Sequence, residues 1–336
     1  MLPHSINQIS HALGADPLII QGGGGNISFK DRKANSIWIK ASGKWLEHAK
    51  AENIYIELNL KKGKEWLSTG THEFPSDWQK AESSSTQLRA SIETSLHLLF
   101  DSPVVVHTHP VNILCHVVQQ NPQITLSPLL GNINWALIPY QKPGRDLANA
   151  ISQHPQFGKC SIFILQNHGL VVCADTPEEA QAITLDVIHK CSVRASESQY
   201  DLSKIRASQE RIKSFGYRPP NHPLIHNLAC NPFSFDSIKR NNNVLYPDQA
   251  VFLGKNAVII DDVKKISQVC GAPFIVVPNI GVFINESASV MVEAMLLCHA
   301  EVLARVPENA QLNYLSDSAV AELTNWDAEK YRQSIN

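Results

Sequence analysis

The chain has 336 residues, a formal net charge of -2 at pH 7, 43% hydrophobic and 18% charged residues. That balance describes a folded chain with a substantial core, either about two domains or one large domain with an extension, and it excludes a disordered protein. Nucleic acid and anionic membrane surfaces are poor partners, because no run of five basic residues occurs and no stretch approaches the ~18 apolar residues of a membrane-spanning helix.

Residues 1–16 have neither a basic start nor a long apolar core, so no signal peptide is expected and the cytoplasm is the expected location. The seven cysteines (Cys115, Cys160, Cys173, Cys191, Cys230, Cys270 and Cys298) are scattered, odd in number and without a C-x-x-C pair. They are expected as buried, reduced thiols. Residues 5–14, with Ile6, Ile9 and Leu13, predict a short helix. Leu18-Ile19-Ile20 leads into four glycines, Gly22 to Gly25, and then Asn26. Such a run is either a flexible hairpin loop or a loop whose N–H groups meet an anion. It is neither a dinucleotide fingerprint, since Ile27 stands where the third glycine would fall, nor a Walker loop. Ile27–Lys30 and Ser36–Ala41 alternate and predict a hairpin turning over Asp31–Asn35. Ser42-Gly43, bracketed by Lys40 and Lys44, makes a second small-residue turn suited to phosphate. Residues 53–60 predict a strand, 61–70 a polar turn and return, and 71–86 a polar loop.

Leu88, Ile92, Leu96 and Leu99 predict a helix over Leu88–Phe100. Glu93 sits at the edge of its apolar stripe with His97 four residues on, either as a general acid/base or as an ordinary i,i+4 pair. Val104-Val105-Val106 then runs into His107-Thr108-His109-Pro110. β-branched residues favour extended backbone, and the two-residue period puts His107 and His109 on one face, about 7 Å apart along the chain. Two such histidines are either half-buried polar residues or two metal ligands. A helix is expected over 111–120, a strand at Asn134–Tyr140 and a helix over 146–153. Cys160–Gln166 and Leu170–Ala174 predict strands on either side of Asn167-His168-Gly169. Thr176-Pro177-Glu178-Glu179 predicts a capped helix running to about residue 200. Beyond a polar stretch at 203–223 a smaller α/β unit is expected. Its predicted strands are Ala250–Leu253, Ala257–Ile260 and Phe274–Val277, with an amphipathic helix over Ala288–Ala304 and a last helix over Asp317–Gln333 capped by Ser316. His222, His226 and His299 follow no common spacing and are expected as surface or core residues.

His107, His109 and a third strand-end histidine, His168, make a plausible three-imidazole site with an open position for a substrate oxygen. A zinc ion so held polarises a carbonyl and stabilises an enediolate, and Glu93 nearby would move the proton. Two small-residue anion loops beside it suggest a phosphorylated, hydroxylated substrate.

Taken in order, Gly25-Asn26-Ile27-Ser28, Lys40-Ala41-Ser42-Gly43, Ser91-Ile92-Glu93, His107-Thr108-His109-Pro110 and Asn167-His168-Gly169-Leu170 resemble the class II aldolase/adducin family over roughly residues 1–205. Leu245-Tyr246-Pro247-Asp248 and Trp326-Asp327-Ala328-Glu329 resemble its longer subgroup, the aldolase part of bifunctional rhamnulose-phosphate aldolase/short-chain dehydrogenases. The dehydrogenase part itself is not expected here. The resemblance implies a three-layer α/β/α core with a smaller C-terminal α/β extension. The expected division is a catalytic domain at 1–205, a linker at 206–222 and an extension of unknown role at 223–336. It implies Zn2+, or another divalent ion, on His107, His109 and His168, with Glu93 as acid/base. Asn26, Ser42, Gly43 and Ser91 would contact a substrate phosphate, and Gly25 would let the backbone come close. The implied reaction is reversible cleavage of a ketose 1-phosphate, or a related sugar, to dihydroxyacetone phosphate and an aldehyde. The implied assembly is a homotetramer acting on a small sugar substrate. Two departures stand out: Ile92 replaces the second serine before the glutamate, and residues 110–139 lack the tyrosine that fuculose-phosphate aldolases contribute to a neighbouring subunit. Epimerases, dehydratases and oxo-acid phosphate decarboxylases on the same fold use the same metal logic. The adducin branch, non-catalytic and without zinc ligands, is the alternative of another class. A binding subunit whose partner supplies the dehydrogenase is a third.

Overall fold

The computed structural model describes residues 1–75, 77–79, 88–269 and 271–335, so Cys270 and part of the loop expected at 71–86 lie outside it. The chain divides into two compact units, one of Met1–Val117 with Asn121–Ser192, the other of Val118–Gln120 with Val193–Ser334.

In the first unit, strands β1 (Asn26–Asp31), β2 (Ser36–Lys40), β3 (Tyr55–Asn59), β4 (Val104–Thr108), β5 (Trp135–Ile138), β6 (Ile162–Leu165) and β7 (Gly169–Ala174) form one sheet in the order β3-β2-β1-β4-β7-β6-β5. All neighbours are antiparallel except β5 and β6. The expected hairpin is present: Asp31 Oδ1 accepts from the Ala34 N–H at 3.0 Å, and Asn35 takes a positive φ of 51°, which asparagine tolerates. The helices are α1 (His4–Gly14), α2 (Leu60–Thr69), α3 (Thr94–Leu99), α4 (Val111–Val117), α5 (Pro122–Leu130), α6 (Arg145–Gln153) and α7 (Pro177–Lys190). Strand alternation on β4 sorts the layers. Val104 and Val106 pack with Ile6, Ile9 and Leu13 of α1 and Ala180 of α7. Val105 packs on the other face with Leu96 of α3 and Leu147 and Ile151 of α6. Each fully buried valine contributes roughly 1.5–3 kcal/mol of transfer free energy. The result is the expected three-layer α/β/α core, with β4 at its centre.

Several local readings of this unit differ from the structure; the helix expected from 177 to about 200 ends at Lys190. Residues 61–70 form helix α2 rather than a turn and return. The Asn59 side chain caps it by accepting from the Lys62 N–H, and Gly70 ends it at φ 80°. Leu60, Gly63 and Trp66 make its buried face, a pattern masked by the surrounding lysines. The helix expected over 88–100 is only Thr94–Leu99, because the Arg89 carbonyl is taken by the Ser42 N–H at 3.0 Å and residues 88–90 stay outside the helix. Helix α5 was not anticipated; proline at its start and again inside it obscured the periodicity.

The second unit holds α8 (Leu202–Lys213), β8 (Tyr217–Arg218), α9 (Asn227–Cys230), α10 (Pro232–Ile238), α11 (Pro247–Leu253), β9 (Val258–Ile259), β10 (Phe274–Val277), β11 (Gly281–Asn285), α12 (Val290–Leu303), α13 (Asp317–Thr324) and α14 (Asp327–Ser334). Its sheet runs β8-β11-β10-β9. The stretch expected as a linker carries most of α8 and all of β8. Ala250–Leu253, expected as a strand, lies in α11: Pro247 opens the helix, Gln249 Oε1 accepts from the Leu245 N–H at 2.8 Å, and Gly254 ends it at φ 78°. Helix α12 is buried on most sides rather than amphipathic. The expected last helix is two, broken at Asn325–Trp326, with Ser316 capping the first through the Ala319 N–H at 3.2 Å. Among the described residues no helix is long and apolar enough to cross a membrane, and the described cysteines are free and buried or half-buried.

Candidate functional site

The site is built at the end of β4, where the sheet hands over to loops. Val105 and His107 face the α3 side, as the two-residue period requires, and His109 follows just past the strand. Pairing of β4 with β7 brings Thr108 opposite Leu170, so His168, immediately before β7, arrives beside the pair. Glu93 stands at the N-terminus of α3, where the helix dipole favours a negative charge. The three imidazole ring centres lie 4.8, 4.8 and 5.1 Å apart. Glu93 Oε1 is 3.0 Å from His107 Nε2 and 3.6 Å from His168 Nε2, and His109 Nε2 is 3.0 Å from His107 Nε2. All four residues are buried.

Protonation follows from one contact. His107 Nδ1 lies 2.9 Å from the Leu170 carbonyl oxygen, which can only accept. Nδ1 therefore carries a proton, and Nε2 is the ring atom turned to a carboxylate oxygen and to a second imidazole nitrogen. A buried carboxylate among three imidazoles calls for positive charge, from a proton on a ring or from a bound cation. Donors at 2.0–2.2 Å from a tetrahedral ion stand about 3.3–3.6 Å apart, close to the separations observed. Three imidazoles and a carboxylate, all within 4.8 Å of one another, thus suit a divalent metal. Burial would push the Glu93 carboxyl up, but His107, His168 and His109 outweigh it and hold the group well below the usual carboxylate range. Glu93 is a carboxylate here, and not half of an exposed Glu–His pair. His97 is also buried: burial holds it well below the usual imidazole range, and its Nδ1 lies 2.8 Å from Ser28 Oγ.

The five residues expected at a phosphate are placed differently from one another. Gly25 is fixed at φ 60°, and a Cβ there would lie 2.7 Å from Ile20 Cδ1 and 2.9 Å from the His107 carbonyl oxygen. The glycine run is therefore a packed wedge against the histidine strand and not a flexible loop. Asn26 is fully buried, pairs with His107 across the ladder and donates its amide to the Lys40 carbonyl at 3.4 Å. Ser91 Oγ accepts from the Glu93 N–H at 3.3 Å, so it shapes the start of α3. Ser42 is half-buried and Gly43 has φ 73°, in a turn tied by the Ser42 N–H to the Arg89 carbonyl. The Glu93–histidine cluster converges, and Ser91 and Asn26 adjoin it through Glu93 and His107.

Two positioning groups escaped the sequence reading. Gln21 Nε2 donates to the Pro17 carbonyl at 2.8 Å and the His109 carbonyl at 3.3 Å, holding the glycine approach to the histidine segment. Its signal was a lone amide between an apolar run and a glycine run. Lys40, expected to face phosphate, instead donates Nζ to the Gly23 and Lys44 carbonyls, each at 2.8 Å, and so joins the two small-residue loops.

Comparison with known proteins places this arrangement. A Bacillus subtilis (strain 168) protein described as the uncharacterized oxidoreductase YuxG is 26% identical over 213 residues, 56% of this chain but only 29% of that protein. The match thus spans less than a third of that relative's length. The N-terminal class II aldolase domain of a conserved Thermoplasma acidophilum protein aligns at 20% identity and TM-score 0.44, covering 56% of this chain and 90% of that one. A sugar-phosphate aldolase from Thermotoga maritima aligns at 16% identity and TM-score 0.43, covering 55% and 90%. The profile of the Class II Aldolase and Adducin N-terminal domain matches residues 6–194, which contain the whole seven-stranded sheet and all four clustered residues, and the chain belongs to that family.

Proposed function

We propose that the chain is a metal-dependent aldehyde-lyase of the class II type, cleaving a ketose 1-phosphate or a related sugar to dihydroxyacetone phosphate and an aldehyde. One observation carries this: His107 Nε2, its ring oriented by the Leu170 carbonyl, faces His109 Nε2 and Glu93 Oε1 at 3.0 Å each. His107, His109 and His168 would hold the ion, zinc being favoured by the donor set. When bound, the ion supplies Lewis acidity to a substrate carbonyl oxygen. Glu93 would be the proton carrier: as the C–C bond breaks, the hydroxyl that becomes the aldehyde carbonyl releases a proton, and Glu93, having taken up one proton, passes it to the carbon next to the ketone, removing it again in the reverse direction. Ser91, Ser42 and Gly43 bind the substrate's phosphate or terminal hydroxyl. Gly25 and Asn26 set the path of the backbone beside them. A homotetramer is the proposed assembly, measurable by analytical ultracentrifugation.

The test is elemental metal content beside His109→Ala, followed by an aldehyde-release assay over ketose 1-phosphates and their unphosphorylated parents. About one divalent ion per chain, lost in the variant, with aldehyde released from a ketose, is expected. An absence of metal after incubation with zinc sinks the reading. Metal binding with epimerisation and no cleavage moves the protein to the epimerase branch.

A further inference from the structure

The cluster accounts for four buried polar residues at the end of the sheet. It leaves unexplained a fifth and a sixth, His97 and Ser28, both fully buried. Ser28 lies on β1 between apolar neighbours: its cross-strand partners are Val105 on β4 and Ile39 on β2. His97 lies on α3 between Leu96 and Leu98, both buried. Among the described residues His97 Nε2 has no hydrogen-bond partner, a state that costs stability and that a leucine would avoid. A retained imidazole therefore needs a reason other than packing.

The connections form a closed ring. Glu93 and His97 are one helical turn apart, joined by the His97 N–H to the Glu93 carbonyl at 3.2 Å. His97 Nδ1 meets Ser28 Oγ at 2.8 Å. Ser28 is two residues from Asn26, so both face the same side of β1. Asn26 pairs with His107 across the ladder. His107 Nε2 returns to Glu93 Oε1 at 3.0 Å. Every link but one is regular backbone or the cluster itself. With the packing of Leu96 and Leu98 on either side, the side-chain link restrains how far α3 is rotated about its axis, and therefore where the Glu93 carboxylate points. Helix α3 has only six residues, and Glu93 makes no capping bond of its own. It has little rigidity beyond what its anchors supply.

We infer that the His97–Ser28 hydrogen bond is a positioning strut that sets the Glu93 carboxylate relative to His107 and the three-histidine cluster. The inference rests on the function proposed above. His97 and Ser28 touch no substrate; they act through Glu93.

The test uses the full chain, as wild type, His97→Leu, His97→Asn, Ser28→Ala and the Ser28→Ala/His97→Leu double variant. Metal per chain, kcat, KM and the pH profile of kcat/KM are measured, together with the visible absorption of the Co2+-substituted proteins, which reports ligand geometry without turnover. Ser28→Ala and His97→Leu are each expected to lower kcat about 10-fold, with KM within about two-fold and metal content retained, as for other groups that orient a ligand. The cobalt band shifts in both, and the acid limb of the pH profile moves. The double variant is no worse than His97→Leu, because both changes remove one interaction. His97→Asn, whose side-chain amide reaches the Nδ1 position, recovers most of kcat and the wild-type band. An unshifted cobalt band with unchanged kcat in Ser28→Ala overturns the strut, as do additive losses in the double variant. If His97→Leu fails to fold, Ser28→Ala and His97→Asn decide by the same two readouts. A wild type that binds metal but cleaves no ketose overturns the proposed reaction, while the cobalt bands still test the strut. A wild type that binds no metal overturns both.

Discussion

Buried histidines occur in both units of the chain, and they differ in what surrounds their lone pairs. In the first unit His107, His109 and His168 turn Nε2 atoms toward one another and toward Glu93. In the second, His226 and His299 are equally buried but stand apart. His226 Nδ1 accepts from the Val282 N–H at 3.2 Å, with Gly281 packed against the ring. His299 lies beside the Tyr246 hydroxyl at 3.5 Å, and its Nε2 has no hydrogen-bond partner among the described residues. Burial alone makes a histidine a neutral core residue; convergence with a carboxylate makes it a candidate site. Strand geometry produces that convergence, because two strand ends can bring three side chains to one point while keeping their backbones paired.

The largest effect should come from breaking the convergent group. His109→Ala is expected to lose the metal, and Glu93→Gln to keep it while lowering kcat by about 10²–10⁴-fold. His226→Ala and His299→Ala serve as the matched controls, in which metal content stays at the wild-type value. Equal metal loss in all of these variants would erase the distinction between the two kinds of histidine.

Next comes the wedge that holds the histidine strand. Gly25→Ala places a methyl against the His107 carbonyl at a positive φ, and Gly169→Ala places one 2.3 Å from the Thr108 carbonyl. Each is expected to cost on the order of 1–3 kcal/mol in urea unfolding, with weaker metal binding as the strand shifts. Gly254→Ala, where nothing lies within 4 Å of the added carbon, should cost only the φ strain and leave metal affinity alone. If Gly25→Ala binds metal as tightly as wild type, the wedge does not support the site.

In the second unit a loss of stability is expected without any loss of metal. His226→Leu leaves the buried Val282 N–H unpaired and should cost about 1–3 kcal/mol. His299→Leu should be near neutral, since little is lost there.

The pH dependence sharpens the comparison further. Burial pushes both His226 and His299 down to about 4, against about 6.5 for an exposed imidazole. Between these values the unfolded chain binds protons that the native state refuses. Their contribution is fully present above pH 6.5 and is lost as the pH falls toward 4. Urea midpoints between pH 7 and 4 should therefore decline, and less steeply in His299→Leu; equal slopes would remove His299 from the explanation.

Much of this was legible beforehand where local rules and tertiary structure agree. Val104 to His107 declared a strand, its two-residue period put His107 with Val105, and that is the face that meets Glu93. The second helix was not legible, because Lys61, Lys62 and Lys64 dominate a segment whose buried face is only Leu60, Gly63 and Trp66. Likewise the α3 stripe was extended too far back, since nothing in Leu88–Ser91 announces that Arg89 bonds the Ser42 turn. Pro247 marks a helix start, yet the apolar content of Ala250–Leu253 by itself predicts a strand. Gly25 and Lys40 also serve inside the protein, packing on the His107 backbone and bonding the Gly23 and Lys44 carbonyls. Such intramolecular uses leave no trace in sequence spacing.

The ladder order also dictates when the cluster can exist. Gln21 reaches His109 across 88 residues, and His107 reaches Leu170 across 63. Closing such distant contacts is slow, because chain entropy is lost before the contacts repay it. During refolding, hairpin β1–β2 and the helices can form early, whereas His107, His109 and His168 come together only once β4 has docked between β1 and β7. The histidine cluster is therefore a timer for completion of the sheet, and cobalt colour should develop after most of the far-ultraviolet circular dichroism has returned.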